Sequence, residues 1–509
     1  MKNLFFISLF VICLSARSQT GVVRLELEAA INSDIYELIP LENQGFLVFY
    51  ETKDVAGDDS KNWFFTFYNS SFSEVWKANI PVLTDAGYHD YFRQDSLIYL
   101  FFLNAGKIKS GTENFQLVTL DLANGVSFET KGNLPAESSF IKFCVAGTKV
   151  FVALNLKNEQ AALYSIDLKS GPINEYRITY PDQNFIEDLI YDPYNDQVMS
   201  IVSNYLSRRQ YKMYFLVLST DVGFRYELEI SPVVAGKFLN TARIYTSDST
   251  HHLLIGTYGS IASKIPSQNE YFGIESTGVF TTRISAQKQE FMNYYNFMEF
   301  RNLRAGVSAR DFYRLQKKKD RESPEYSMNY ELLTHDPELH DSTLVIMMEA
   351  FYPEFRTVSD ISYDYWGRPV THTYTVFEGY RFFNSILTGF NLNGELVWDN
   401  SLEVNIAPTN RLDKKAAYFF DGAPAILFYN DGSKISYRIC LENAELESFT
   451  KLDLETSELG DKITAIGQNR LIHWYDYYFL AYGYHTIRNN LLTEKNERTV
   501  FYINKISLE

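Results

Sequence analysis

Cysteine, proline, basic residues and long apolar runs are all in short supply in this chain. Its 509 residues include 3 Cys and 14 Pro. Of the cysteines only Cys144 and Cys440 lie beyond the first eighteen residues. They stand 440 − 144 = 296 residues apart, each in a strand-like stretch, so no disulfide framework is expected and two buried free thiols are. Scarce proline leaves strand ladders uninterrupted. Lys and Arg number 47 against 63 acidic residues, a net charge of −16. Phosphate binding needs a concentrated cationic surface, so a nucleic-acid binder is excluded, as is a surface built to lie on anionic lipid. No apolar run beyond the amino terminus approaches the ~20 residues of a membrane-spanning helix. The longest candidate, residues 344–352, is interrupted by Glu349. There is no Gly-x-Ser-x-Gly elbow, phosphate loop or Cys–His nucleophile arrangement.

The amino terminus carries an address. Met1-Lys2-Asn3 is a short basic start, residues 4–14 are apolar, and Ala16-Arg17-Ser18 places small residues for cleavage before Gln19. That is the layout of a secretory signal peptide over residues 1–18. Its loss removes Lys2 and Arg17 and leaves −16 − 2 = −18. Lipidation at Cys13 is the alternative, though Ile12 is not the small residue expected before a lipidated cysteine. The expected product is soluble and exported, with a periplasmic address and outer-membrane-associated or extracellular ones as alternatives.

What is abundant is aromatic side chains, 37 Tyr and 39 Phe, in runs of period two broken by Gly, Asn, Asp and Ser. One hairpin recurs: an apolar strand, a tight turn, and a strand often carrying Trp or Tyr. Its turns include Asn69-Ser70-Ser71-Phe72 before Trp76, Asp121-Leu122-Ala123-Asn124-Gly125, and Asn391-Leu392-Asn393-Gly394 before Trp398. A second hairpin precedes each copy, with Asp248, Asp336, Asp421 or Asp476 at its turn. Two hairpins make four strands, and a period of 45–50 residues is the signature of a β-propeller. The units run over residues 33–80, 85–135, 137–180, 184–231, 237–285, 328–404, 408–455 and 460–508. The last has only three strands, while residues 22–28 (VVRLELE) have no partner near them. The amino-terminal strand should therefore complete the eighth blade and close the ring. Seven blades are the alternative, because the fifth unit lacks an obvious fourth strand.

Two stretches break the pattern. Residues 286–327 are expected to be a helical insert, with Gln287–Leu303 rich in Glu, Gln and Met and a second helix that opens at Ser308 and ends in Arg314–Arg321, which includes Lys317-Lys318-Lys319. Residues 353–381 are expected to be a long loop between the middle strands of unit six. Both would emerge on one face, and long loops on rigid scaffolds usually carry function. The Asn393-Gly394…Trp398 turn, with Trp76 placed equivalently, resembles quinoprotein-type (PQQ-like) propeller repeats. The outline also looks like uncharacterised exported bacterial propellers. The quinoprotein resemblance would imply a vicinal cysteine pair and a calcium cage. Neither is present, so no cofactor is expected and that catalysis does not carry over.

Candidate site residues are few. His335 and His340 flank a Pro turn and His251-His252 are adjacent on a strand, so neither pair has metal-ligand geometry. Repeated turn aspartates belong to turns. Glu349 and Glu378 each interrupt an aromatic apolar run, and a carboxylate there needs either solvent or a partner. Tyr363, Tyr365, Trp366 and Arg368 sit on the long loop, where rings can anchor a protein partner or stack on sugar. The sequence thus reads as a non-enzymatic exported β-propeller, an interaction platform for an envelope protein partner, with no catalytic, metal or disulfide residues assigned. The alternative is a carbohydrate-binding or glycoside-cleaving propeller, which requires Trp366 or its tyrosines beside Glu349 or Glu378 in one pocket.

Overall fold

The computed structural model describes residues 23–507, except 30–34, 58, 105–111, 158–159, 170, 172, 208–209, 235, 260–273, 306–327, 423–424, 441–449 and 492–495. The strands form eight antiparallel sheets; in six of them four consecutive strands pair in chain order, and a seventh does so with its first strand broken into two short pieces. These blades span residues 36–83, 86–135, 139–177, 183–230, 238–296, 331–403 and 416–453. The eighth sheet joins Asp461–Tyr475, Tyr478–Asn489 and Glu497–Ser507 to the amino-terminal Arg24–Glu28. Arg24 pairs with Asn504 and Glu28 with Val500, so the first strand closes the ring from its outer edge. Arg498 bonds Glu26 at 3.1 Å, tying that strand to the last one. Eight blades are present, closed as the unpartnered VVRLELE segment predicted.

Alternation explains the aromatic excess. One face of each sheet packs on the next, and the buried side chains divide into eight clusters, one for each blade-to-blade interface. Phe49 of blade one meets Tyr88 of blade two edge-on at 5.0 Å. On the outer rim Trp76 Nε1 donates to the Leu122 carbonyl of the next blade at 2.8 Å. Its ring lies against Gly125, whose φ of +71° and missing Cβ the contact requires. Tyr295 Oη plays the same part for blades five and six, donating to the Gly394 carbonyl at 2.9 Å. Cys144 is a buried free thiol in blade three, and burial pushes its pKa up to about 12. Cys440 lies in the third strand of blade seven, half a ring away.

Both insertions differ from expectation. Lys288–Asn296 is not helical; it is the fourth strand of blade five, so that unit extends to residue 296. Among the described residues of this stretch, helix is confined to a turn at Phe297–Glu299 and to Arg301–Ala305, whose first amides are held by Asp399 at 2.8–3.0 Å. The second expected helix and Lys317–Lys319 lie outside the described residues, as does the segment 1–18. The stretch 353–381 is not an irregular loop. It continues the middle strands of blade six, Thr343–Tyr363 and Pro369–Asn391, as a paired ribbon. Among the described residues no helix is long and apolar enough to cross a membrane.

Strand direction defines two faces. Turns between first and second strands, and between third and fourth, lie on one face. Second-to-third hairpins and the links between blades lie on the other. The ribbon and the link holding Arg301–Ala305 therefore share a face by topology.

Candidate binding sites: the ribbon tip and the central cavity

The ribbon leaves its sheet where the flanking strands stop. The inner strand of blade six last pairs at Glu331–Phe351, and the outer strand last pairs at Glu403–Asn384. From Phe355–Phe377 outward the two strands pair only with each other, to Tyr363–Pro369. Nine residues per strand at ~3.3 Å each carry the tip roughly 30 Å from that point. The base is fixed by Arg381–Glu354 at 2.8 Å, Arg356–Glu378 at 2.9 Å and the Phe355–Phe377 ring pair. At the tip Asp364 accepts the amides of Trp366 and Arg368 at 2.9 and 2.8 Å, and Gly367 supplies a φ of +71°. Residues opposed in the pairing share a face. One face holds Phe355, Phe377, Thr357, Thr375, Ser359, Thr373, Ile361, Thr371 and Tyr363, without a charge. The other holds Arg356, Asp360 and His372. Tyr363, Tyr365 and Trp366 are 72, 95 and 76 % exposed.

The two carboxylates do not join these rings. Glu349 is fully buried in blade six; it takes His335 Nε2 at 2.7 Å and the Lys415 and Ala416 amides at 3.0 Å. It staples blade six to blade seven and reaches no solvent. Glu378 lies at the ribbon base on Arg356. The single pocket that a glycoside-cleaving reading required, with Trp366 or a tyrosine beside Glu349 or Glu378, is not formed by these residues.

A second site gathers residues that the sequence assigned to turns and strands, His335, Asp336, His340, Asp421 and Asp476, with others it did not single out. The inner strands of blades two to five each carry a bulge at the same place: between Tyr88 and Asp90, Phe140 and Lys142, Ile186 and Asp188, and Leu239 and Thr241. A bulge re-aims the following side chain, here into the channel. Blade six achieves the same by a break at His335-Asp336-Pro337 between Glu331–Thr334 and Glu338–His340. Lys142 of blade three contacts Asp188 of blade four and, across the channel, Asp336 of blade six, both at 2.9 Å. Arg243 of blade five joins at 3.7 Å. Against the lowering effect of burial, Asp188 and Asp336 hold the Lys142 ammonium well above its usual range. Asp336 is thus more than a turn residue. Asp248 does serve its turn, accepting the Thr250 and His251 amides at 2.7 and 2.9 Å.

This chord of ion pairs divides the channel. On the side of blades six, seven, eight, one and two is a cavity of about 780 Å³. His89, His335, His340 and His473 line it, four of the chain's 8 histidines. Tyr418, Phe419, Phe420 and Tyr477 collar its mouth, with Tyr418 Oη donating to Glu338 at 2.7 Å. Deeper, Arg470 bonds Asp413 at 2.8 Å and approaches Glu37 at 3.7 Å, and Arg411 lies 3.6 Å from Glu37. Burial raises the Glu37 carboxyl above its ordinary value despite both guanidinium groups. Among the described residues no group of three His, Cys, Asp or Glu side chains is arranged to hold a metal.

No family model and no curated protein matches this chain. Solved structures with a similar arrangement include the polysaccharide lyase Uly1, at 8% identity over 94% of this chain and 100% of that one, with a TM-score of 0.36. A neuraminidase-like protein from A/bat/Guatemala/164/2009 aligns at 9% identity over 81% and 86% of the two chains, TM-score 0.31. Prolyl oligopeptidase B from Galerina marginata aligns at 14% identity and TM-score 0.30 over 68% of this chain, which spans 37% of that enzyme's length. The eight-bladed propeller rests on the strand order, and these distant likenesses carry no activity to this chain.

Proposed function

We propose that this chain is an exported, non-enzymatic β-propeller that acts as a protein-interaction platform in the bacterial cell envelope, docking a partner on the ribbon tip. The observation that carries the reading is the exposure of Tyr363, Tyr365 and Trp366 at the end of a rigidly anchored ribbon. Exposed aromatic clusters of this kind mark binding surfaces, since Tyr and Trp bring large contact area at little entropic cost. The charge-free ribbon face extends the surface, and Arg368 adds a cation beside it. Stacking of a sugar on Trp366 is the second reading, favoured by the perpendicular Tyr365–Trp366 pair at 5.6 Å, which leaves an indole face open.

The test is photo-crosslinking from Tyr365 replaced by a benzophenone amino acid in intact envelopes, alongside a chain whose residues 355–377 are replaced by Asn-Gly. One crosslinked protein, released from the shortened chain, is the expected result. Crosslinks to glycan alone would move the assignment to sugar. No crosslink from the tip, with partners retained by the shortened chain, overturns the reading.

A further inference from the structure

The central cavity holds two charged groups of opposite sign that the fold leaves unmatched. Asp90 uses Oδ1 to accept its neighbour's amide, Tyr91 N–H, at 2.8 Å, and no side chain among the described residues pairs with its other oxygen. Lys414 lines the same cavity and makes no ion pair among the described residues. Asp90 and Lys414 thus line one cavity without pairing. Deeper in the cavity the other charges are paired: Arg470 with Asp413, and Glu37 with Arg470 and Arg411. Arg411 is held only loosely and is more than half exposed, so it can turn toward a ligand.

This pattern selects among ligand chemistries. Three cations, Arg411, Lys414 and Arg470, face three carboxylates, Glu37, Asp90 and Asp413, so a purely anionic ligand meets as much repulsion as attraction. Three further carboxylates at the mouth, Glu338, Asp421 and Asp476, turn that balance against anions. A neutral sugar would cover Asp90 and Lys414 without compensating their charges, at a desolvation cost. A molecule bearing an ammonium and a carboxylate satisfies both. About 780 Å³ exceeds what one amino acid fills and lies within the ~300–1,000 Å³ of small-molecule sites. The collar of Tyr418, Phe419, Phe420 and Tyr477 then offers apolar surface to side chains.

We infer that the cavity is a binding site for a short zwitterionic peptide, its ammonium on Asp90 and its carboxylate on Lys414 and Arg411. No residue of the ribbon lines the site, so it stands if tip docking fails.

The experiment is calorimetric titration of the full chain with a pool of free-ended Ala-Xaa-Ala tripeptides, against the same pool acetylated and amidated at its ends. Binding of the free-ended pool alone is expected, weakened at least about tenfold by Asp90→Asn and by Lys414→Gln, the loss of one charge-assisted hydrogen bond. Asp90→Asn keeps the acceptor for the Tyr91 amide and Lys414 is exposed, so both variants should fold, which their unfolding midpoints check. The chain with residues 355–377 replaced should bind as the wild type does. No heat from either pool, equal binding of the blocked pool, or undiminished binding by both variants would overturn the inference.

Discussion

At the scale of single residues, the buried carboxylates separate into structural and functional kinds by what neutralises them. Glu349 spends both oxygens on His335 and two amides of the next blade. Glu349→Ala should therefore cost about 2–4 kcal/mol, the penalty for leaving buried donors unmet. Chemical denaturation should record that loss. Asp90 is the opposite case. Enclosure of the cavity lifts its pKa to about 6 even though Lys142 and Lys414 pull it down; Asp336 pushes it up and the rings of Tyr88 and Tyr91 stand beside it. A carboxyl whose folded pKa lies above its unfolded value contributes stability at low pH, and that contribution is lost as pH rises through 6. Asp90→Asn should then stabilise the ligand-free protein by about 1–2 kcal/mol at pH 8, discounted because the group is partly solvated, and by nothing near pH 4. Thermal melts at the two pH values check the sign. A residue that weakens its own fold at neutral pH is what a ligand site looks like before the ligand arrives.

At the scale of elements, what could be read from the sequence was what repeats. The turns Asp121–Gly125 and Asn391–Gly394, recurring at one spacing, gave the blades, and a strand with no local partner gave the closure. Deleting residues 24–28 should uncover the edge of Glu497–Ser507, remove the Arg498–Glu26 pair and take Leu25 and Leu27 off the core they cover. An unfolding midpoint lower by roughly 10 °C and a broadened transition are expected in calorimetry. What could not be read was local. Lys288–Asn296 is an outer strand, half exposed and rich in long side chains with helical preference, and a register shift at Arg283–Ile284 spoils its alternation. Pairing to Gly278–Ser285 overrides that preference. The 353–381 stretch looked like a loop because both of its faces meet solvent, so the apolar alternation that marks a half-buried strand is diluted by Thr and Ser. The cavity was invisible for a different reason: its residues come from five blades, and each looks like an ordinary charge in an inner strand. The shared signal is the pattern Tyr88-His89-Asp90, Phe140-Ile141-Lys142, Ile186-Glu187-Asp188, an apolar residue two before a charge in consecutive inner strands. It becomes meaningful only once the bulges align it.

At the scale of the whole molecule, a ring of eight blades has to hold its centre open without leaving charges stranded there. Interfaces between neighbours fix each blade to the next, but Lys142–Asp336 is a contact between blades three apart, and so acts on the ring as a whole. Asp188, almost completely buried, depends on the same ammonium and on the Ile244 amide at 2.9 Å. Lys142→Met keeps the aliphatic stem but strands Asp188, which predicts a loss of about 3–5 kcal/mol. Because the pair is enclosed, added salt should not abolish the difference between variant and wild type, whereas an exposed pair such as Lys434–Asp453 should contribute little at any salt concentration. The double variant Lys142→Met, Asp188→Leu removes both charges and should recover much of the loss. Unfolding of the three chains in denaturant tests this directly. If the single variant were as stable as the wild type, the chord would be a bystander and the channel would owe its shape to the blade interfaces alone. The expected loss, with recovery in the double variant, would instead show that the partition bounding the cavity is also what sets the spacing of the inner strands that line it.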